Sequence, residues 1–152
     1  DVFESKLEFA RKLGATHTIN ARETDAIEAL RALTRLGPDY VFDSVGAAAT
    51  ISQALKAVRP GGAATVMGMH ALKQEVPIPA GPLIAQNKRL LGSFFGSAKP
   101  HVDLPNLVEL YRAGRLPVDE LVSKRYTLDE IMPAFHDMEA GNVARDLIVF
   151  GD

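Results

Sequence analysis

Asp1 is the first residue of this 152-residue chain whose type and position suggest chemistry. An acid that closes a β-strand beside a bound nucleotide takes the ribose hydroxyls, with a glycine-rich phosphate loop about 20 residues upstream. Taken alone, an acid ahead of a helix is the N-terminal charge that the helix dipole favours, and that plainer reading is the stronger one. The histidines, His17, His70, His101 and His136, include no two at metal-ligand spacing, and cysteine is absent. A zinc site built within this chain is therefore not expected. His17 is expected in a strand and His136 on a helix face, while His70 follows a strand end, where functional loops gather. Ser44 and Ser93 lack a nearby His–acid pair or a Gly-x-Ser-x-Gly elbow, which argues against a hydrolase. Asp43 and Glu75 do not make an interpretable carboxylate pair. None of the 12 glycines forms Gly-x-Gly-x-x-Gly or a P-loop. Gly61-Gly62 lies between a helix and a strand and reads as a tight turn. Arg145, between a helix end and the last strand, offers a planar fork for phosphate; the plainer alternative is a surface bridge to Asp146 or Glu139.

The elements that would position these residues follow from spacing. Ser5 and Glu8 have capping-box spacing, predicting a helix to Leu13 with Leu7, Ala10 and Leu13 on one face and Gly14 as its stop. Thr16–Ile19 reads as a strand. Asp25 and Glu28 start a second helix to Arg35, with Ile27, Leu30 and Leu33 inward, broken by Gly37-Pro38. Tyr40–Val45 is the next strand, followed by a helix over about 50–58, the Pro60-Gly61-Gly62 turn and a small-residue strand, Ala63–Gly68. A proline-rich connection, Leu72–Pro82, leads to the strand Leu90–Phe95. Beyond Gly96, helices over about 103–113 and 128–140 alternate with extended segments at 121–126 and 146–150, and Thr127 and Glu130 form a second capping box. Strands alternating with helices of this length mean βαβ units and parallel strands.

Composition bounds the possibilities. Hydrophobic residues make 47% and charged residues 24% of the chain, and the net charge is −2. That is ordinary globular composition, with basic residues scattered rather than patched, so no nucleic-acid or membrane partner is expected. No apolar run reaches the ~20 residues of a membrane helix, and the cytoplasm is the default expectation. Residues 1–95 carry 11 basic and 9 acidic groups, against 6 and 10 in residues 96–152. With the change of pattern after Gly96, this divides the chain into 1–95 and 96–152. The start at Asp1, without methionine, reads as a cut through a longer protein.

The ordered segments carry a resemblance. Asp1-Val2-Phe3-Glu4-Ser5-Lys6-Leu7-Glu8-Phe9-Ala10, Lys12-Leu13-Gly14-Ala15-Thr16 and Asp39-Tyr40-Val41-Phe42-Asp43-Ser44-Val45-Gly46 open the series. Arg59-Pro60-Gly61-Gly62 then runs into Val66-Met67-Gly68-Met69. Leu91-Gly92-Ser93-Phe94-Phe95-Gly96 and the ending Gly141-Asn142-Val143-Ala144-Arg145-Asp146-Leu147-Ile148-Val149-Phe150 complete it. In this order they resemble the zinc-type medium-chain alcohol dehydrogenases over essentially the whole chain. Each motif is weak alone; the set is specific.

The resemblance implies an α/β fold: an incomplete Rossmann-like, doubly wound parallel sheet in 1–95, then a segment, 96–152, that returns to the catalytic domain. It implies that Asp1 holds the adenosine ribose and favours NAD over NADP, with Lys6 beside it. Ser44 and Val45 would line the adenine side. Met67 and Ser93 would offer carbonyls, and Phe95 an N–H, to the nicotinamide carboxamide, with Gly68 adjoining. Met69 and Phe94 would reach the substrate, and Arg145 would bind the pyrophosphate. An arginine often follows the family's Val-Gly pair; here Ala47 removes that contact. The family's zinc ligands, proton relay and glycine-rich loop lie outside these residues. The implied activity, hydride transfer between an alcohol or aldehyde and NAD, would therefore belong to a longer parent, with this chain inactive alone and no metal bound by it.

In the family's strand order, removing strands 1 and 2 leaves roughly 14 Å between 16–19 and 40–45, where neighbours need ~4.8 Å. Rearrangement, pairing with another copy, or a longer polypeptide is expected. The strand at 90–95 would join two copies into a homodimer. Three rival readings remain: a zinc-free quinone reductase of the same family, a methyltransferase suggested by Val58-Arg59-Pro60-Gly61-Gly62, and a non-catalytic dimerisation module.

Overall fold

β1 (Tyr40–Asp43), β2 (Ala63–Val66) and β3 (Arg89–Gly92) pair in parallel in that order in the computed structural model, which describes residues 1–69, 73, 75–141 and 143–151. Successive strand residues point to opposite faces. Val41, Ala64 and Leu90 share one register row and pack together with the helix α3 (Ala48–Ala57) and Val58 that follow β1. Ala54, Leu55, Val58 and Ala64 are the buried centre, with Ile78 and Leu83 against them. Burying a Leu or Val side chain contributes ~1.5–3 kcal/mol, so Leu55 and Val58 dominate this small, alanine-rich core. The opposite face of β1 presents Tyr40 and Phe42, which stay exposed.

Packing divides the chain into two units: Asp1–Val2 with Ala15–Ala98, and Phe3–Gly14 with Lys99–Asp152. The first holds the three-stranded sheet, α3, the helix α2 (Ala26–Thr34) and a six-residue helix α4 (Ala80–Ala85). α2 begins as its spacing predicts: the Asp25 carboxylate accepts from Ile27 N at 2.8 Å and Glu28 N at 3.0 Å. Ile27 and Leu30 are half-buried, but Leu33 is 48% exposed, so the inward face is shorter than expected. α4 was hidden within the proline-rich stretch. Pro82 sits in its first turn, where a missing N–H costs nothing.

In the second unit α1 (Glu4–Lys12), α5 (Pro100–Arg112) and α6 (Ile131–Glu139) accompany a parallel pair, β4 (Val122–Tyr126) with β5 (Arg145–Ile148). The Thr127–Glu130 box forms as expected, Glu130 accepting from Thr127 N at 2.9 Å. The Ser5–Glu8 box does not. Phe3 is the N-cap, so Ser5 already lies inside the first turn and the Phe3 carbonyl accepts from Lys6 N and Leu7 N. Leu7 is buried, whereas Leu13 is exposed beyond the helix end.

Two further expectations are corrected. Thr16–Ile19 is not a strand: among the described residues no sheet includes it, and its end is tied to Asp1 by the bond from Asp1 N to the Ile19 carbonyl. His17 therefore lies in an irregular segment. The strand expected at 90–95 runs from Arg89 to Gly92. Phe95, Gly96 and Ser97 have φ of 49°, 67° and 54°, a left-handed turn that extended pairing cannot include.

Candidate functional site

Parallel pairing collects the carboxyl ends of three strands on one edge. Asp43, Val66 and Gly92 form the last register row, and the segments 44–46, 67–69 and 93–95 leave from it together. Met67 N and Gly68 N donate to the Asp43 carbonyl at 2.8 and 3.0 Å, and Ser93 N donates to the Val66 carbonyl at 2.9 Å. The ladder thus extends one residue past each strand before the chains splay.

The Asp43 side chain, 6% exposed, shapes the first of these segments. Its Oδ2 accepts from Gly46 N at 3.0 Å and its Oδ1 from Val45 N at 3.3 Å. A carboxylate turned back onto the N–H groups two and three residues ahead is an Asx-type turn, strengthened by its charge. Gly46 has φ +77°, and a Cβ on it would lie 2.8 Å from Met69 N. A Cβ on Gly68 would fall on the backbone of Ser44, Val45 and Gly46. Two glycines therefore let the loop after β1 lie directly on the chain leaving β2. Asp43 was considered in the sequence only as a partner for Glu75; its spacing to Val45 and Gly46 was the signal that could have found it.

On this edge the structure brings together Ser44, Val45, Met67, Gly68, Met69, Ser93, Phe94 and Phe95. Ser44 is exposed, and so are the apolar side chains of Val45, Met67 and Met69. Phe94 is 73% and Phe95 82% exposed, their rings meeting edge to face at 4.6 Å. Exposed apolar side chains beside backbone polar groups suit a flat heteroaromatic ring with a carboxamide or hydroxyl edge, and dinucleotides bind outside the carboxyl ends of such strands.

The remaining candidates are distributed between the units. Asp1, in the first, is held through its backbone to Ile19 and Ala21, and its carboxylate accepts from Val2 N at 2.6 Å. Lys6, in the second, has its ammonium 5.4 Å from the centroid of the Phe3 ring and lines a cavity of about 180 Å³ with Ser123, Val143 and Ala144. Ser123 Oγ accepts from Ala144 N at 2.8 Å and Arg145 N at 3.4 Å, pinning the backbone that launches Arg145. Among the described residues no ion pair joins Arg145 to Asp146 or Glu139, and both Asp146 carboxylate oxygens are buried without a hydrogen-bond partner.

His136 lies on α6 as expected, His101 on α5, and His70 falls outside the described residues. Among the described residues no group of three or more His, Cys, Asp or Glu side chains could hold a metal ion. A zinc ion does not fit this donor set.

A second polar cluster lies on the β4–β5 pair, where Lys124 and Tyr126 both donate to Asp137 on α6. The Lys124 hydrogen bond, then that of Tyr126, holds the Asp137 carboxyl below its ordinary range. The bond to Asp137 raises both Lys124 and Tyr126. The lowered acid contributes stability above its unfolded pKa and loses it as pH falls through the folded value. The two raised groups contribute fully below their unfolded pKa and lose it as pH climbs through theirs. Stability should therefore be level near neutrality and fall in strong acid and strong base. In Asp137→Asn, thermal melts between pH 2 and 11 should show both falls flattened; an unchanged profile would assign the titration elsewhere.

A three-stranded parallel sheet with a ledge of loops at its carboxyl edge defines a nucleotide-binding type of α/β protein. The family described as zinc-binding dehydrogenase matches residues 1–113, and the chain belongs to it. Alcohol dehydrogenase-like 2 of Arabidopsis thaliana is 32% identical over 97% of this chain and 39% of its own length. The crystal structure of benzyl alcohol dehydrogenase from Acinetobacter calcoaceticus superposes with a TM-score of 0.93 at 32% identity, over 99% of this chain and 41% of that one. A putative zinc-binding dehydrogenase from Sinorhizobium meliloti, solved bound to NADP, superposes at 0.87 with 25% identity, over 98% of this chain and 44% of that one. The chain spans about two fifths of the length of the curated relatives it matches, in their C-terminal portion. The family match decides against the methyltransferase reading. Among the described residues no helix is long and apolar enough to cross a membrane.

Proposed function

We propose that this chain is the cofactor-binding part of an NAD-dependent alcohol or aldehyde oxidoreductase. The observation that carries the reading is the carboxyl edge of the sheet, where 44–46, 67–69 and 93–95 converge with apolar side chains outward. Ser44 and Val45 take the adenine side, Met67, Gly68, Ser93 and Phe95 the nicotinamide side, and Met69 and Phe94 the wall toward substrate. Asp1 holds the ribose hydroxyls, which favours NAD over the 2′-phosphate of NADP. Lys6 and Arg145 are the cations that the likeness to the family assigns to the dinucleotide, Arg145 to its pyrophosphate through the planar fork.

The dinucleotide, when bound, supplies the hydride acceptor. The residues here bind and orient it, and the apolar ledge excludes water from its reactive ring. Zinc, if the whole protein uses it, is held outside these residues, so the chain alone is inactive. β3 is an edge strand, with Leu91 47% exposed, and it joins two copies in a homodimer. The protein works in the cytoplasm.

Calorimetric titration of the protein with NAD and NADP tests the reading. Tight binding of NAD over NADP is expected, and Arg145→Gln should weaken it about tenfold, the loss of one charge-assisted phosphate contact. Binding of neither dinucleotide would overturn the proposal.

A further inference from the structure

The opposite edge of the same sheet holds a second chemistry. Lys88 immediately precedes β3, whose first residue shares a register row with Tyr40 and Ala63 at the amino ends of their strands. Its ammonium reaches the end of α3, donating to the Leu55 carbonyl at 2.9 Å and to the Lys56 carbonyl at 3.4 Å. There it borders a cavity of about 230 Å³ with an apolar wall from Leu55, Pro82 and Leu83. The polar lining is Arg31, Lys56 and Gln86, and no carboxylate is among the lining residues. Burial first, and then the Arg31 charge, lowers the Lys88 pKa. Partial desolvation and a neighbouring cation are the two conditions that turn a lysine from a solvated charge into a nucleophile.

We propose that Lys88 is a site of Nε-acylation by acyl phosphates. A neutral Lys88 amine has two N–H groups for its two carbonyl partners, which leaves the lone pair free to face the cavity. Arg31 and Lys56 supply the positive charge that draws in a phosphate dianion, while the apolar wall accepts the acyl group. The amine nitrogen attacks the acyl carbon, a C–N bond forms, and the bond from that carbon to the phosphate oxygen breaks. Phosphate leaves with the electron pair and takes up the proton lost from nitrogen. The product amide carries no charge and keeps one N–H, so one of the two carbonyl bonds at the end of α3 is lost. The proposal is independent of dinucleotide binding at the far edge.

The test is incubation of the intact protein with acetyl phosphate near pH 8, with initial rates read at each lysine by mass spectrometry. Lys88 should be acetylated about fivefold or more faster than the median of the six other lysines. Arg31→Gln should bring Lys88 to within about twofold of that median, since it removes one of the two recruiting charges and the cation that lowers the Lys88 pKa. Lys56→Gln is the second variant, expected to reduce the lead without touching the Lys88 hydrogen bonds, which go to backbone carbonyls. Acetic anhydride, a neutral donor, should show a smaller lead. A Lys88 rate at or below the median overturns the proposal, as does a lead that both variants leave unchanged or that is equal for the two donors.

Discussion

Gly68→Ala is expected to cost about 3–5 kcal/mol, or to leave the protein without a cooperative fold. The added Cβ has nowhere to go, because the atoms in its way are the backbone of Ser44, Val45 and Gly46 rather than the tip of a movable side chain. That backbone is itself fixed, by the bonds of Gly46 N and Val45 N to the buried Asp43 carboxylate. Overpacking against a side chain commonly costs 1–3 kcal/mol because neighbours yield. Here yielding would break the hydrogen bonds of Met67 and Gly68 to the Asp43 carbonyl as well. Gly92→Ala is the matched control. It stands at the end of β3, in the register row of Asp43 and Val66, with nothing within 4 Å of an added Cβ. Its cost should stay within about 1 kcal/mol. Urea unfolding of the two variants decides the point, and equal losses would mean that the close approach of 46 and 68 is not what holds the edge together.

Asp43→Ala should cost about 2–4 kcal/mol, from the other side of the same contact. It deletes two charge-assisted bonds and strands the Gly46 N–H in a buried position, and an unmet buried donor is penalised beyond the value of the bond itself. Asp43→Asn keeps one oxygen for one of the two N–H groups while presenting an NH2 to the other. It should lose roughly half as much. Both variants should also weaken NAD binding if the loop after β1 faces the adenine. Chemical denaturation separates the cases: near-equal stability of wild type and both variants would show that the glycine pair alone shapes the loop.

The alternation of strands and helices was readable because it rests on short-range signals. Asp25, the Gly37-Pro38 break, the Thr127–Glu130 box and the apolar runs at 40–45 and 63–68 each act within a few residues, and each element starts where the spacing put it, although the two strands stop at Asp43 and Val66, two residues short. Thr16–Ile19 failed for the opposite reason: a strand exists only with a neighbour, and no periodicity within four residues reports one. Ser5–Glu8 failed because Phe3 caps the helix two residues earlier, and spacing alone does not rank competing starts. The shortening of the 90–95 strand came from left-handed φ at Phe95 and Ser97, a conformation that neither residue type advertises. At the edge itself the likeness to dehydrogenases named the side chains, yet Asp43, which organises their backbone, escaped notice. A carboxylate that acts on its own chain two and three residues ahead leaves no long-range pattern.

The pairings of β1 with β2, β2 with β3 and β4 with β5 begin at residues 23, 26 and 23 positions apart. Closure entropy grows only with the logarithm of loop length, so these three closures differ by about 0.1 kcal/mol. Length therefore cannot rank them in time; the contents of the loops must. Between β1 and β2 lies a ten-residue helix bearing Ile51, Ala54 and Leu55, whereas β2 and β3 enclose the six residues of α4, none of them buried. The first crossover brings a helix with a fully buried apolar face to the sheet, while the second adds only the partly buried Ile78 and Leu83 at the margin of the same core. The difference predicts an order of assembly at the carboxyl edge, with the Asp43–Gly68 contact made when β1 and β2 close and the 93–95 segment laid against it afterwards.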